Sequence, residues 1–330
     1  MSECTFAGAA YDPPAMTDLE AGVRTVVHQS LGVRAGEEVV VVVDPATRNI
    51  GEALRAEAAA AGADAVLTVM DERATDGTEP PASVAGALAA ADVFIAPTSR
   101  SLSHTQARKR ATDAGARGAT MPGVTEDMLA RLMAVDFGAM PARSKAVAAV
   151  LDAGTRAHVT CPRGTDLRLA LDGRAGISDD GELTAPGAFG NLPCGEGFIA
   201  PAFGEGTAVA SSLTPLGLSI EPATLTVAEG RLVAVNGGLG PQFIELLLAH
   251  GQLGTNLAEL GVGTNDRARL TGNILEDEKI LGTVHVAFGA SAGIGGTVSV
   301  PIHLDVVVLE ASLEVDGRQV LDAGRYVLDQ

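Results

Sequence analysis

Apolar residues change their rhythm along this chain near residue 150. Before that point, unbroken aliphatic runs alternate with segments whose apolar positions recur every three to four residues. Glu38 to Asp44 encloses an uninterrupted run of valines, and a strand without polar alternation is one buried on both faces, as in a parallel sheet. Asn49 to Ala61 has helical spacing and stops at Gly62, which takes up the left-handed cap without a Cβ penalty. Further strands are expected at Ala65 to Met70 and Asp92 to Pro97, with a fourth beginning at Ala119 to Met121. Helices are expected at Met16 to Ser30, Val84 to Ala91, Glu126 to Val135 and Ala142 to Ala153. Alternation of β and α elements at this spacing predicts an N-terminal Rossmann-like, doubly wound α/β domain over residues 1–150.

From His158 onward the pattern is that of half-buried strands. Leu167 to Leu171, Thr207 to Ser212, Leu225 to Val227 and Arg231 to Val235 are such segments, and Asp172-Gly173, Glu229-Gly230 and Asp316-Gly317 are hairpin signals. A helix is expected from Pro241 to His250 and a short one at Asn256 to Leu260. Residues 151–330 therefore read as a β-rich α+β domain.

The chemistry-bearing residues fall in that second part. His303 and Asp305 are two apart in a strand-like segment, Val298 to Leu309, so their side chains share one face. His285 lies within a second such segment, Gly282 to Phe288, and Glu259 precedes a Gly-x-Gly-Thr-Asn sequence. An aspartate on a buried strand requires a positive partner, and spacing leaves two kinds open, a metal ion or an Arg or Lys. Imidazole nitrogen with carboxylate oxygen is a donor set for a divalent metal. Glu276, Asp277 and Glu278 read as an exposed acidic turn, and His104 with Arg108, Lys109 and Arg110 as the solvated face of a helix. Asp44-Pro45 and Ser99-Arg100-Ser101 stand at strand ends, where α/β sheets place ligands, but read as turns. The glycine-rich run from Gly289 to Gly296 reads as a tight active-site loop.

The strings ELGVGTN (Glu259 to Asn265), EDEKILGTVHVAFG (Glu276 to Gly289) and HLDVVV (His303 to Val308) resemble the C-terminal half of the aminopeptidase T and aminopeptidase S family of metallo-aminopeptidases. GNLPCGEGFIAP (Gly190 to Pro201) is similar to the peptidases' Asn-Leu-Pro segment with its ligand glutamate. A more distant relative in the same superfamily is 2,5-dihydroxypyridine 5,6-dioxygenase, a mononuclear non-haem iron enzyme. The likeness is strong over about residues 185–310 and architectural before that. It implies one or two divalent metal ions per chain (Zn, Co, Mn or Fe) held by Glu196, Glu259, His285, His303 and Asp305, with Glu196 or Glu259 taking a proton. It also implies hydrolysis of a small amide or short peptide, and a homodimer or larger assembly.

Two departures matter. The peptidases carry a tyrosine where this chain has Ala292, while the dioxygenase has a histidine ligand where this chain has Glu259 and no ligand type at His285. The alternatives to a hydrolase are thus a ring-cleaving Fe(II) dioxygenase or a metal-binding scaffold without turnover.

Composition narrows the partners. Twenty-three basic residues against 41 acidic ones give a net charge of −18, which disfavours nucleic acid and anionic membrane and favours cations. Aromatic residues make up only 3% of the chain, so the core is expected to be aliphatic. Cys4, Cys161 and Cys194 fit neither a disulfide framework nor a zinc knuckle. The sequence shows no dinucleotide fingerprint, P-loop, signal-like start or membrane-length apolar run, and reads as cytoplasmic.

Overall fold

The valine run sets up the first half of the fold. In the computed structural model, which describes residues 16–328, it forms β1 (Glu38–Val43). Val39, Val41 and Val43 enter one core with Ile50 and Leu54 of α2 (Arg48–Ala60) and Met128 and Leu129 of α5 (Glu126–Leu132). Val40 and Val42 enter another, with Val84 and Leu88 of α3 (Ala82–Ala90) and Ala107 and Ala111 of α4 (Gln106–Asp113). One strand thus feeds two cores, because successive side chains point to opposite faces. β2 (Asp64–Val69), β3 (Val93–Ala96) and β4 (Arg117–Thr120) complete a parallel layer with helices on both sides, in the order β2-β1-β3-β4. α1 (Met16–Arg24) continues into a wider helical turn to Ser30, in place of one regular helix.

The chain leaves this layer through α6 (Ala139–Ala153) and enters an antiparallel sheet at β5 (Arg156–Thr160), β6 (Asp166–Ala170) and β7 (Ile177–Asp179). It then returns once, since β8 (Phe189–Asn191) pairs in parallel with β4. That return delivers the next strand, β9 (Glu196–Ile199), from the end of the parallel layer straight into the antiparallel one. β10 (Phe203–Leu213), β11 (Gly217–Ala228) and β12 (Arg231–Asn236) form long ribbons beside α7 (Gly240–Leu248). β13 (Leu257–Gly263), β14 (Val284–Gly289) and β15 (His303–Val308) fill the middle, and β16 (Ser312–Val315), β17 (Arg318–Asp322) and β18 (Arg325–Tyr326) one end. The order β10-β15-β14-β13-β9-β7 is the part that matters for chemistry.

The expected α/β class with a β-rich second half is present, and two local readings are corrected. Asn256 to Leu260 is not helical, because Leu257 to Gly263 is buried between β9 and β14 and paired to both. Tertiary pairing overrides a short segment's local preference. Asp172-Gly173 is a turn but joins no hairpin, since β6 pairs with β5 and β10 while β7 pairs with β9. The other two turn signals do join paired strands, with Glu229, Gly230, Asp316 and Gly317 all at positive φ, as such tight turns require. Among the described residues no helix is long and apolar enough to cross a membrane.

Candidate metal centre

Strand register places all five expected ligands on one face of four adjacent strands. Glu196 lies opposite Gly263, Glu259 opposite Ala287, Gly261 opposite His285, Ala287 opposite Asp305 and Gly289 opposite His303. Residues directly opposite project to the same face, so each ligand faces a glycine or alanine across the ladder. Small residues clear the room that the larger polar groups fill. Gly261 is the tightest case, because a Cβ there would lie 1.9 Å from His285 Nε2. Behind β9, α6 approaches so closely that a Cβ on Gly197 would be 2.8 Å from Ser144 O, which fixes the strand carrying Glu196.

Glu259 is the shared member. Its Oε1 lies 3.3 Å from His285 Nε2, and its Oε2 lies 3.4 Å from His303 Nε2. Glu196 Oε2 is 3.0 Å from His285 Nε2, and Asp305 Oδ1 is 3.6 Å from His303 Nε2. Two donor groups result, Glu196–Glu259–His285 and Glu259–His303–Asp305, each with ligand atoms within 4.8 Å of one another. The first is wholly buried, whereas His303 keeps a side-chain exposure of 24% and opens the second to solvent.

The donors fit a cation on three observations. His303 Nδ1 lies 2.7 Å from the Ala290 carbonyl, which only accepts, so Nδ1 carries the proton and a neutral ring turns its bare Nε2 toward two carboxylates. Only a proton or a metal between them makes that arrangement favourable. His285 Nδ1 is buried without a hydrogen-bond partner among the described residues. Finally, among the described residues Asp179, Glu196, Glu259, Glu278 and Asp305 are joined through His285 and His303 in one network with a single ammonium, Lys279. With both imidazoles neutral and all five acids ionised, these five acids and one base carry four negative charges, the amount that two divalent cations balance.

In the absence of metal the same surplus appears as displaced proton affinities. Burial alone would lower His285 and His303, but their carboxylate neighbours outweigh it and hold both well above the ordinary histidine value. Burial acts against the charged forms of Glu196 and Glu259. Lys279 and His285 around the first, and His285 and His303 around the second, reverse that and lower both pKa values. Burial raises Asp179 to about 7 and Glu278 to about 8, against the pull of Lys279. Protons and metal therefore compete for one set of atoms.

The acids Glu276 and Asp277, expected on an exposed turn, are fully buried, as is the Lys279 that follows them. Glu276 holds Arg131 through bonds of 2.6 and 2.9 Å, and Asp277 accepts from Ser212 Oγ, Thr271 and Gly272. Lys279 Nζ reaches Glu196 Oε1 at 2.5 Å, Glu278 at 2.8 Å and Asp179 at 3.3 Å. Asn265 closes the same corner, donating to the carbonyls of Cys194 and Leu132. Asn191 sits apart from the donors, accepting from Thr120 and Ser103. His104, expected on a solvated surface, is exposed in the turn just before α4, and its ring lies 3.9 Å from where a Cβ of Gly293 would be. Desolvation by its surroundings, then the nearby His303 and Arg108, lower its pKa. Lys109 and Arg110 are exposed as expected, while Arg108 stacks 4.1 Å over Phe189.

A model of the 2,5-dihydroxypyridine 5,6-dioxygenase family matches residues 22–328. The chain belongs to that family. Within the 2,5-dihydroxypyridine 5,6-dioxygenase family, a solved dioxygenase structure from Pseudomonas putida KT2440 is similar with a TM-score of 0.82 and 19% identity, covering 96% of this chain and 99% of that one. Wild-type AmpT from Thermus thermophilus is similar with a TM-score of 0.69 and 21% identity, covering 94% of this chain and 99% of the other. At such identities both likenesses speak to the fold. A search of curated proteins found no match.

Proposed function

We propose that this member of the family is a metal-dependent hydrolase of small amides or short peptides, resembling the metallo-aminopeptidases. One observation carries the reading: Glu259 offers one carboxylate oxygen to each of two donor groups, the arrangement of a bridging ligand. Glu196, Glu259 and His285 would hold one divalent ion, and Glu259, His303 and Asp305 the other. When bound, such ions supply Lewis acidity and a water acidic enough to react near neutral pH.

The side chains divide the remaining work. Glu196 and Glu259 are the glutamates of the donor groups, and either is placed to take the proton released. The partly exposed His303 marks where substrate enters, and the buried Glu196 group keeps water out behind it.

A second reading is a ring-opening Fe(II) dioxygenase, favoured by the family match over residues 22–328. It requires Glu259 to serve where the resemblance calls for histidine, with His303 and Asp305 completing a three-residue site. Anaerobic assays of protein reconstituted separately with zinc, cobalt, manganese and iron separate the two. Turnover of aminoacyl amides without O₂ is expected; O₂ consumption that needs Fe(II) and a dihydroxypyridine would replace the hydrolase with the oxygenase.

The homodimer is carried forward as a proposal. Leu218, Ile220 and Val233 on the paired strands β11 and β12, with Leu246 and Leu248 on the adjoining helix, are exposed apolar groups suited to a second copy. Light scattering should give twice the chain mass of 33.3 kDa, and a monomer would reject it.

A further inference from the structure

We infer that Lys279 is a built-in cation that makes the two halves of the centre unequal, so that the Glu259–His303–Asp305 half takes its divalent ion tightly and the Glu196–Glu259–His285 half takes one weakly. This rests on the reading that both donor groups bind cations. The ammonium is wholly buried and touches Glu196 Oε1 at 2.5 Å, leaving only Oε2 directed at His285. Glu278 and Asp179 anchor it at 2.8 and 3.3 Å, so it has no solvent into which to swing away. A dication in that half would share a ligand carboxylate with a fixed positive charge, in surroundings that screen poorly. Among the described residues no Arg or Lys is ion-paired to His303 or Asp305, and the ionic contacts on the Glu259 side are between histidines and carboxylates. Like charge therefore opposes one ion and not the other. Lys279 acts as a positioning residue as well, because it fixes which oxygen of Glu196 remains free.

The test is a titration of the full-length, metal-free protein with Co²⁺ alone, followed by calorimetry and by the visible absorption of bound cobalt. Wild-type protein should show two steps separated by about ten-fold or more in affinity. Lys279→Met should tighten the weak step by about ten-fold or more while leaving the tight step within about three-fold. Glu196→Gln should abolish the weak step and keep the tight one. Two steps of equal affinity in wild type, a weak step unchanged or loosened by Lys279→Met, or loss of the tight step in Glu196→Gln would each overturn the inference while leaving a two-ion centre standing. Should Lys279→Met not fold, the wild-type constants and Glu196→Gln decide alone. No cobalt bound by wild type would instead remove the proposed function, and this inference with it.

Discussion

Arg117 and Glu37 in the first half, and the cluster around Glu259 in the second, both bury charge, but only the first is balanced by its own side chains. Arg117 gives two bonds of 2.8 and 2.9 Å to Glu37 and two more to the carbonyls of Leu31 and Gly32, so nearly every donor is used. Among the described residues the Glu259 cluster sets five carboxylates against one lysine and leaves His285 Nδ1 unpartnered. A buried ion pair that closes on itself is architecture. A buried cluster with a charge surplus is held together for something it binds.

The largest effect should come from Glu259, because it serves both donor groups. Glu259→Ala is expected to abolish binding at both positions and to cut activity by more than the ~100-fold that losing an outer-shell partner costs. Elemental analysis with a kinetic assay checks this; normal metal content in the variant would separate Glu259 from the centre. Next is Gly261→Ala, which places a methyl 1.9 Å from His285 Nε2 and forces the ring off its position. Overpacking of this kind costs about 1–3 kcal/mol, read as a lowered unfolding midpoint, and here it should also reduce metal content.

The balanced pair should behave otherwise. Glu37→Gln removes the charge partner of buried Arg117 and should cost about 1–3 kcal/mol in urea unfolding, with metal content unchanged. Its bond with Arg117 holds Glu37 below the ordinary carboxylate value of 4.5. A depressed carboxylate stabilises the fold fully above its unfolded value and loses that contribution as pH falls through the folded one. The stability gap between wild type and Glu37→Gln should therefore be open at pH 7 and close in acid; a gap that widened in acid would reverse the assignment. The smallest effect belongs to exposed Lys109, paired with Asp113 one helical turn away. Lys109→Ala should change stability by less than about 0.5 kcal/mol.

How much of this could be read from the sequence follows from what each signal depends on. The valines of β1 and the His-x-Asp pair of β15 were legible, because strand geometry alone fixes which way their side chains point. Glu196 was reached through resemblance, since its place beside Glu259 arises from pairing of β9 with β13, a contact no local pattern encodes. Lys279 was lost because an acidic run with one lysine has the composition of a surface turn, and only burial against Glu196 and Asp179 reveals otherwise. Lys109 and Arg110, on the helix that starts at Gln106, are exposed as the charge pattern predicts, and so is His104 in the turn before it.

The most direct test of a centre shared through Glu259 is anomalous diffraction from crystals grown with a divalent cation. Two peaks are expected, one among Glu196, Glu259 and His285 and the other among Glu259, His303 and Asp305, with the Glu259 carboxylate between them. Density at neither position, or a single ion that Glu259 does not touch, would contradict it.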